Sequence, residues 1–167
     1  ILAENHVEES AEFEKTAYET IMSFAGTYFQ IPPMYSALKV NGKKLYELAR
    51  SGKEVERQPR PVEILDIQVE KIKLPRIWIC VSCSKGTYIR TLCHDIGKKL
   101  GCGGCMESLV RIRSGSFCVE DSLKLGEIEA LRDLGKLADC VIPLEMPFGD
   151  LPALVMKPGI GDKRIWN

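Results

Sequence analysis

Lys85, Tyr88 and Arg90 fall within one short run, Cys83-Ser84-Lys85-Gly86-Thr87-Tyr88-Ile89-Arg90-Thr91, where an apolar stretch gives way to a helical repeat. The Gly-Thr pair turns the chain there and leaves backbone amides open to an anion. Two cations flank the turn and an aromatic ring lies between them. Amides and cations can meet a phosphate while the ring stacks on a base, so this strand end suits a planar, phosphate-bearing substrate such as a nucleotide in RNA. The plainer alternative is a strand-to-helix connection with a half-buried tyrosine and a solvated lysine.

The cysteines form a second constellation. Cys80 and Cys83 make one C-x-x-C pair and Cys102 and Cys105 another, at a spacing compatible with a four-thiolate zinc site. Residues 77–83 read as a strand, however, and positions i and i+3 of a strand point to opposite faces. The expected role of these cysteines is therefore that of small buried hydrophobes, with no metal bound. A zinc-binding four-cysteine module stands as the alternative. His94 adjoins Cys93, but neighbours on a helix diverge, which argues against a thiol-imidazole dyad. His6 has no partner visible in the sequence. No phosphate loop, dinucleotide fingerprint or H-E-x-x-H motif occurs in a suitable setting.

The elements that must position these residues can be read from periodicity. Residues 12–23 carry Phe13, Ala17, Ile21 and Met22 at helical spacing, and Gly26 ends the helix. Residues 27–31 and 35–40 are β-prone, separated by Pro32-Pro33, and Asn41-Gly42 signals a hairpin turn. Residues 44–50 read as a short helix closed by Gly52. Residues 62–72 nearly alternate, the mark of a half-buried strand, and Pro75 breaks the run. Residues 77–83 fit a central strand and 88–100 a helix stopped by Gly101. Residues 109–119 are β-prone with a break at Ser114-Gly115. Asp121-Ser122 is the expected cap of a helix over 125–134. The expected class is α+β, with a mixed, mainly antiparallel sheet and flanking helices.

The chain has 167 residues, seven of them Cys, and balances 23 basic against 23 acidic side chains. With zero net charge, RNA binding must come from local clusters of cations. No apolar run reaches the length of a membrane span and no signal peptide is visible, so no membrane partner is expected. An odd number of cysteines without a secretory signal suits a reducing, cytoplasmic setting. Ile1 in place of Met, and the unfinished stretch over 157–164, read as cut ends.

Two long stretches carry a family resemblance. One runs from Gln30-Ile31-Pro32-Pro33-Met34-Tyr35-Ser36-Ala37-Leu38-Lys39 to Arg50. The other runs from Cys83 through Thr91 to Asp95-Ile96-Gly97 and Leu100-Gly101-Cys102-Gly103. With Val55-Glu56-Arg57 and Arg60-Pro61-Val62 between them, the chain resembles the TruB family of tRNA pseudouridine synthases from about Phe24 to about Phe117. The resemblance implies the pseudouridine synthase catalytic fold. It implies an isomerase that flips a T-loop uridine of tRNA into a cleft and converts it to pseudouridine with no cofactor. It assigns catalytic positions to Tyr88, lining the uracil pocket, and to Arg90, pairing with a nucleophilic Asp. Leu109 matches a pocket leucine. Lys85, Arg57 and Arg60 are candidate RNA-backbone contacts, and Tyr35 and Lys39 belong to a segment walling the cleft.

One departure shapes the remaining expectations. The family's Asp sits in a G-x-x-D-P-like loop, and nothing before Gln30 resembles it; every Asp here, from Asp66 to Asp162, lies downstream. Residues 1–150 are accordingly expected to be the C-terminal part of the catalytic domain, and 151–167 a linker or the start of an RNA-binding domain. The expected partners are the T-arm of tRNA and a missing N-terminal half, in the same parent chain or another, without which the chain would be inactive. A non-catalytic RNA-binding module of the same fold is a further alternative.

Overall fold

The computed structural model describes residues 7, 9–40, 42–143 and 146–148. The chain divides into two compact units, the first ending at Leu109 and the second beginning at Val110. In the first unit, α1 (Ala11–Met22) precedes β1 (Gly26–Gln30), the hairpin strands β2 (Lys39–Val40) and β3 (Lys43–Lys44), and α2 (Leu45–Arg50). β4 (Arg60–Lys73), β5 (Arg76–Cys83) and α3 (Ile89–Leu100) follow. The class is α+β: β1, β4 and β5 form an antiparallel sheet in the order β1-β4-β5, flanked by helices.

The alternation of β4 is real but changes phase. Val62 and Ile64 are buried, then Ile67, while Leu65 is 61% exposed. Register shifts at 64/66 and 69/71 explain this: each inserts an unpaired residue and re-aims the side chains that follow. Leu74 and Pro75, joined by a cis peptide bond, connect β4 to β5.

α1 is capped by Ser10, whose Oγ accepts from the Phe13 amide at 3.2 Å. α3 ends where Gly101 adopts the left-handed conformation (φ +78°). The two helices pack on each other, and α1 also on β4. Ile21, Ile64, Ile67, Leu92 and Ile96 form the core between them. Each such aliphatic, fully buried, stabilises the fold by about 1.5–3 kcal/mol. The core fixes α3 against the sheet, and with it the residues at the start of that helix.

Some expectations need correcting. Residues 35–38 are not strand. Their backbone instead bonds locally and to α2, with the Leu45 amide on the Leu38 carbonyl (2.8 Å) and the Tyr46 amide on the Ser36 carbonyl (3.1 Å). Gly42 turns the β2–β3 hairpin at φ +79°, whereas Asn41 lies outside the described residues, as do His6 and 151–167.

The second unit holds a short hairpin, β6 (Arg113–Ser114) with β7 (Phe117–Cys118), and α4 (Leu125–Asp133). Asp121 and Ser122 do not cap α4. Asp121 lies in a 3-10 turn and the Ser122 hydroxyl bonds back to the Cys118 carbonyl, while Glu127 accepts from the Lys124 amide at 2.6 Å. Among the described residues no helix is long and apolar enough to cross a membrane.

Candidate functional site

The site is built at the end of β5. The Ser84 amide donates to the Glu63 carbonyl (2.8 Å) and its Oγ accepts from the Glu63 amide (3.0 Å), extending the β4–β5 pairing past Cys83. The chain then turns over 84–87. Gly86, at φ +86°, occupies the third place of this turn, where a positive φ favours glycine. Lys85 is exposed on the turn.

Tyr88 is the residue from which α3 starts, in extended backbone with no side chain capping the helix. Its carbonyl accepts from the Thr91 and Leu92 amides, both at 3.0 Å. Gln30, at the end of β1 and only 1% exposed, holds the same residue from the other side. Its Oε1 accepts from the Tyr88 amide at 2.8 Å, its Nε2 donates to the Tyr88 carbonyl at 3.1 Å, and Nε2 also reaches the Tyr28 hydroxyl at 2.6 Å. Arg90, in the first turn of α3 and exposed, donates from Nη2 to the Tyr35 carbonyl at 3.0 Å. Among the described residues Arg90 makes no ion pair.

The structure thus gathers Tyr35, Tyr88 and Arg90 at one helix start. Arg60 opens β4 opposite Gln30 in the sheet register and is exposed. Lys39 is exposed on the β2–β3 hairpin. Arg57 folds inward, donating to the Pro32 carbonyl (3.2 Å) and to Glu54 (3.1 Å). A hollow of about 530 Å³ lies along this connector, lined by Ile31 and by 54–59, rather than at Tyr88. Leu109 ends the first unit, 56% exposed and outside the core cluster. Gln30 was assigned no role from the sequence. A glutamine before Pro-Pro carries no mark of burial, and its partner is 58 positions away.

Burial governs the ionisation of the groups beneath the site. It pushes the Tyr28 phenol up to about 12, an effect the Gln30 bond opposes and nearby Asp95 adds to. Burial also raises Asp95, against the pull of His94 and Lys98. It raises the Cys93 thiol as well, with Cys105 adding to the shift. Cys93 therefore stays protonated at neutral pH and is a poor nucleophile. Among the described residues no three His, Cys, Asp or Glu side chains converge to hold a metal.

Comparison with known proteins gives the family. The family model described as TruB family pseudouridylate synthase (N terminal domain) matches residues 2–89. That described as tRNA pseudouridylate synthase B C-terminal domain matches residues 90–148. The chain is 46% identical over 139 residues to tRNA pseudouridine synthase B of Alkaliphilus oremlandii, covering 83% of this chain and 46% of the relative. It is 56% identical over 108 residues to that of Clostridium novyi, covering 65% of this chain and 37% of the relative. The chain spans about half or less of the length of these relatives. Among solved structures, one described as a Cbf5-Nop10-Gar1 complex aligns with a TM-score of 0.66 and 26% identity, over 86% of this chain and 40% of that one.

These matches overturn one expectation. The chain is not only a C-terminal portion of the catalytic domain, because the N-terminal-domain model covers residues 2–89. The missing N-terminal half as a partner, and the inactivity argued from it, are withdrawn together. Both rested on one absent motif, whereas a domain is recognised by its pattern over many positions. With the two models spanning residues 2–148, the chain belongs to the TruB family of pseudouridylate synthases.

Proposed function

We propose that the natural protein carrying this chain isomerises the T-loop uridine of tRNA to pseudouridine. The observation that supports this most is the helix start that carries Tyr88 and, two residues on, Arg90 bonded to the Tyr35 carbonyl. A flipped uridine stacks against the Tyr88 ring, with Leu109 as an apolar wall. The Arg90 guanidinium has donors beyond the one given to Tyr35, and holds a carboxylate through paired charge-assisted hydrogen bonds. The glycosidic bond from nitrogen 1 breaks, the uracil turns, and carbon 5 bonds to the ribose. The proton on carbon 5 leaves and nitrogen 1 gains one. The atoms balance without oxidant, reductant or cofactor. Lys85, Arg60 and Lys39 meet the phosphates around the flipped nucleotide. A cytoplasmic setting suits the odd number of cysteines in the sequence.

The test is tritium release from tRNA labelled at uridine carbon 5, run beside filter binding of the same tRNA. Release at catalytic protein concentration is expected. Tight binding with no release would instead favour the non-catalytic RNA-binding reading.

A further inference from the structure

We propose that Gln30 is a positioning residue for this isomerisation, one that sets Tyr88 and, through the first turn of α3, Arg90. The inference rests on the pseudouridine synthase reading and adds a residue to it. Gln30 and Ser36 are the buried polar side chains among the described residues, and Gln30 is the deeper of the two. Its carboxamide is the complement of a peptide unit. One oxygen accepts and one nitrogen donates, and both meet the backbone of the same residue, Tyr88. The orientation of the amide is fixed by this pairing, since a flipped amide would set oxygen against carbonyl and N–H against N–H.

The clamp lies where α3 has no other side-chain cap. The Tyr88 carbonyl it holds is also the acceptor for Thr91 and Leu92, so the same bond steadies the turn that carries Arg90. Gln30 itself is 1% exposed, and removing its amide leaves the part-buried Tyr88 N–H without its acceptor, while the Tyr88 carbonyl keeps only its bonds from Thr91 and Leu92. Gln30 is too deep to touch a bound nucleotide. Its loss therefore acts on the geometry of reaction, where misplacement by about 1 Å costs on the order of 100-fold. It leaves tRNA affinity, which arises from exposed cations, nearly unchanged.

Two variants in the natural protein test this, Gln30→Met and Gln30→Glu, each measured for kcat, KM for tRNA, thermal midpoint and exchange of the Tyr88 amide. Gln30→Met is expected to lower kcat by about 10- to 100-fold with KM within about 3-fold, and to speed Tyr88 exchange. A protonated glutamic acid donates once and accepts once, which matches the two bonds to Tyr88 though not the further amide bond to the Tyr28 hydroxyl, and burial favours that neutral form. The kcat of Gln30→Glu relative to wild type is therefore expected to rise several-fold, roughly, from pH 8 to pH 6, while the Met ratio stays flat. If Gln30→Met does not fold, the Glu variant at low pH carries the test. A folded variant with kcat within about 2-fold of wild type, or a loss confined to KM, would overturn the inference. Unchanged Tyr88 exchange would sink the clamp alone. A wild type that releases no tritium would sink the function reading and the positioning role with it.

Discussion

Arg57 uses its guanidinium inside the fold, tying the 54–57 connector to the Pro32 carbonyl, and its Nε is buried without a partner. Contact with an RNA phosphate would compete with those bonds. Arg57→Ala is expected to lower stability by about 0.5–1.5 kcal/mol, the net range for a part-buried hydrogen bond, as read by urea unfolding. Tyr28 gives a pH-dependent prediction. Its phenol ionises near 10 when unfolded but resists until about 12 in the fold. Between those values the native state binds more protons than the unfolded one, so this contribution to stability is complete below pH 10 and is lost as pH rises. Unfolding curves from pH 9 to 11.5 should show wild type losing more stability than Tyr28→Phe. Parallel losses would contradict the assignment.

At the scale of elements, α3 is seated by glycine as much as by its apolar face. Gly97 is buried, its carbonyl accepts from the Gly103 amide at 3.0 Å, and a Cβ added there would land on the backbone of Gly103 and Gly104. Gly97→Ala should therefore destabilise by about 2 kcal/mol or more, since backbone cannot yield as a side chain can. Gly126→Ala, within α4 and open to solvent, is expected to stabilise by about 0.5 kcal/mol through helix propensity. Thermal midpoints shifting in the same direction for both would contradict this contrast. The long elements were legible because their periods are strong: α1, α3 and α4, and the paired strands β4 and β5, fall close to where spacing places them. The bulges in β4 were not, because an inserted residue shifts phase without changing composition. Nor was the α4 cap, where Glu127 satisfies the amide that Asp121 and Ser122 were expected to take.

At the scale of the molecule, burial is uneven. The described residues of 110–143 include no buried side chain, whereas β1, β4, α1 and α3 of the first unit bury a core. In the 167-residue chain, amide exchange in α4 should run well ahead of exchange in β4, because local opening costs least where little apolar surface is buried. Equal protection would contradict that. With zero net charge on this chain, the tRNA binding proposed above would rest on local clusters of cations. Each lost phosphate contact, Lys85→Ala for example, should reduce the slope of log affinity against log salt by about 1. Of the candidate site, Tyr88, Arg90 and Tyr35 came from the motif, and the structure sets Arg90, two residues after Tyr88, on the Tyr35 carbonyl. Gln30 was not, because its role comes from a long-range contact that no local pattern marks. Whether the N-terminal domain is represented could not be judged from a single loop motif either; the match over residues 2–89 settles it.

The central claim is that Arg90 acts in the chemistry rather than in holding tRNA. Tritium release and tRNA affinity should be measured side by side for wild type and Arg90→Ala of the natural protein. Release is expected to fall by about 100-fold or more, the scale of a lost electrostatic contact to reacting groups, with affinity within about 3-fold. Normal release, or a loss of affinity that accounts for the whole defect, would contradict the account.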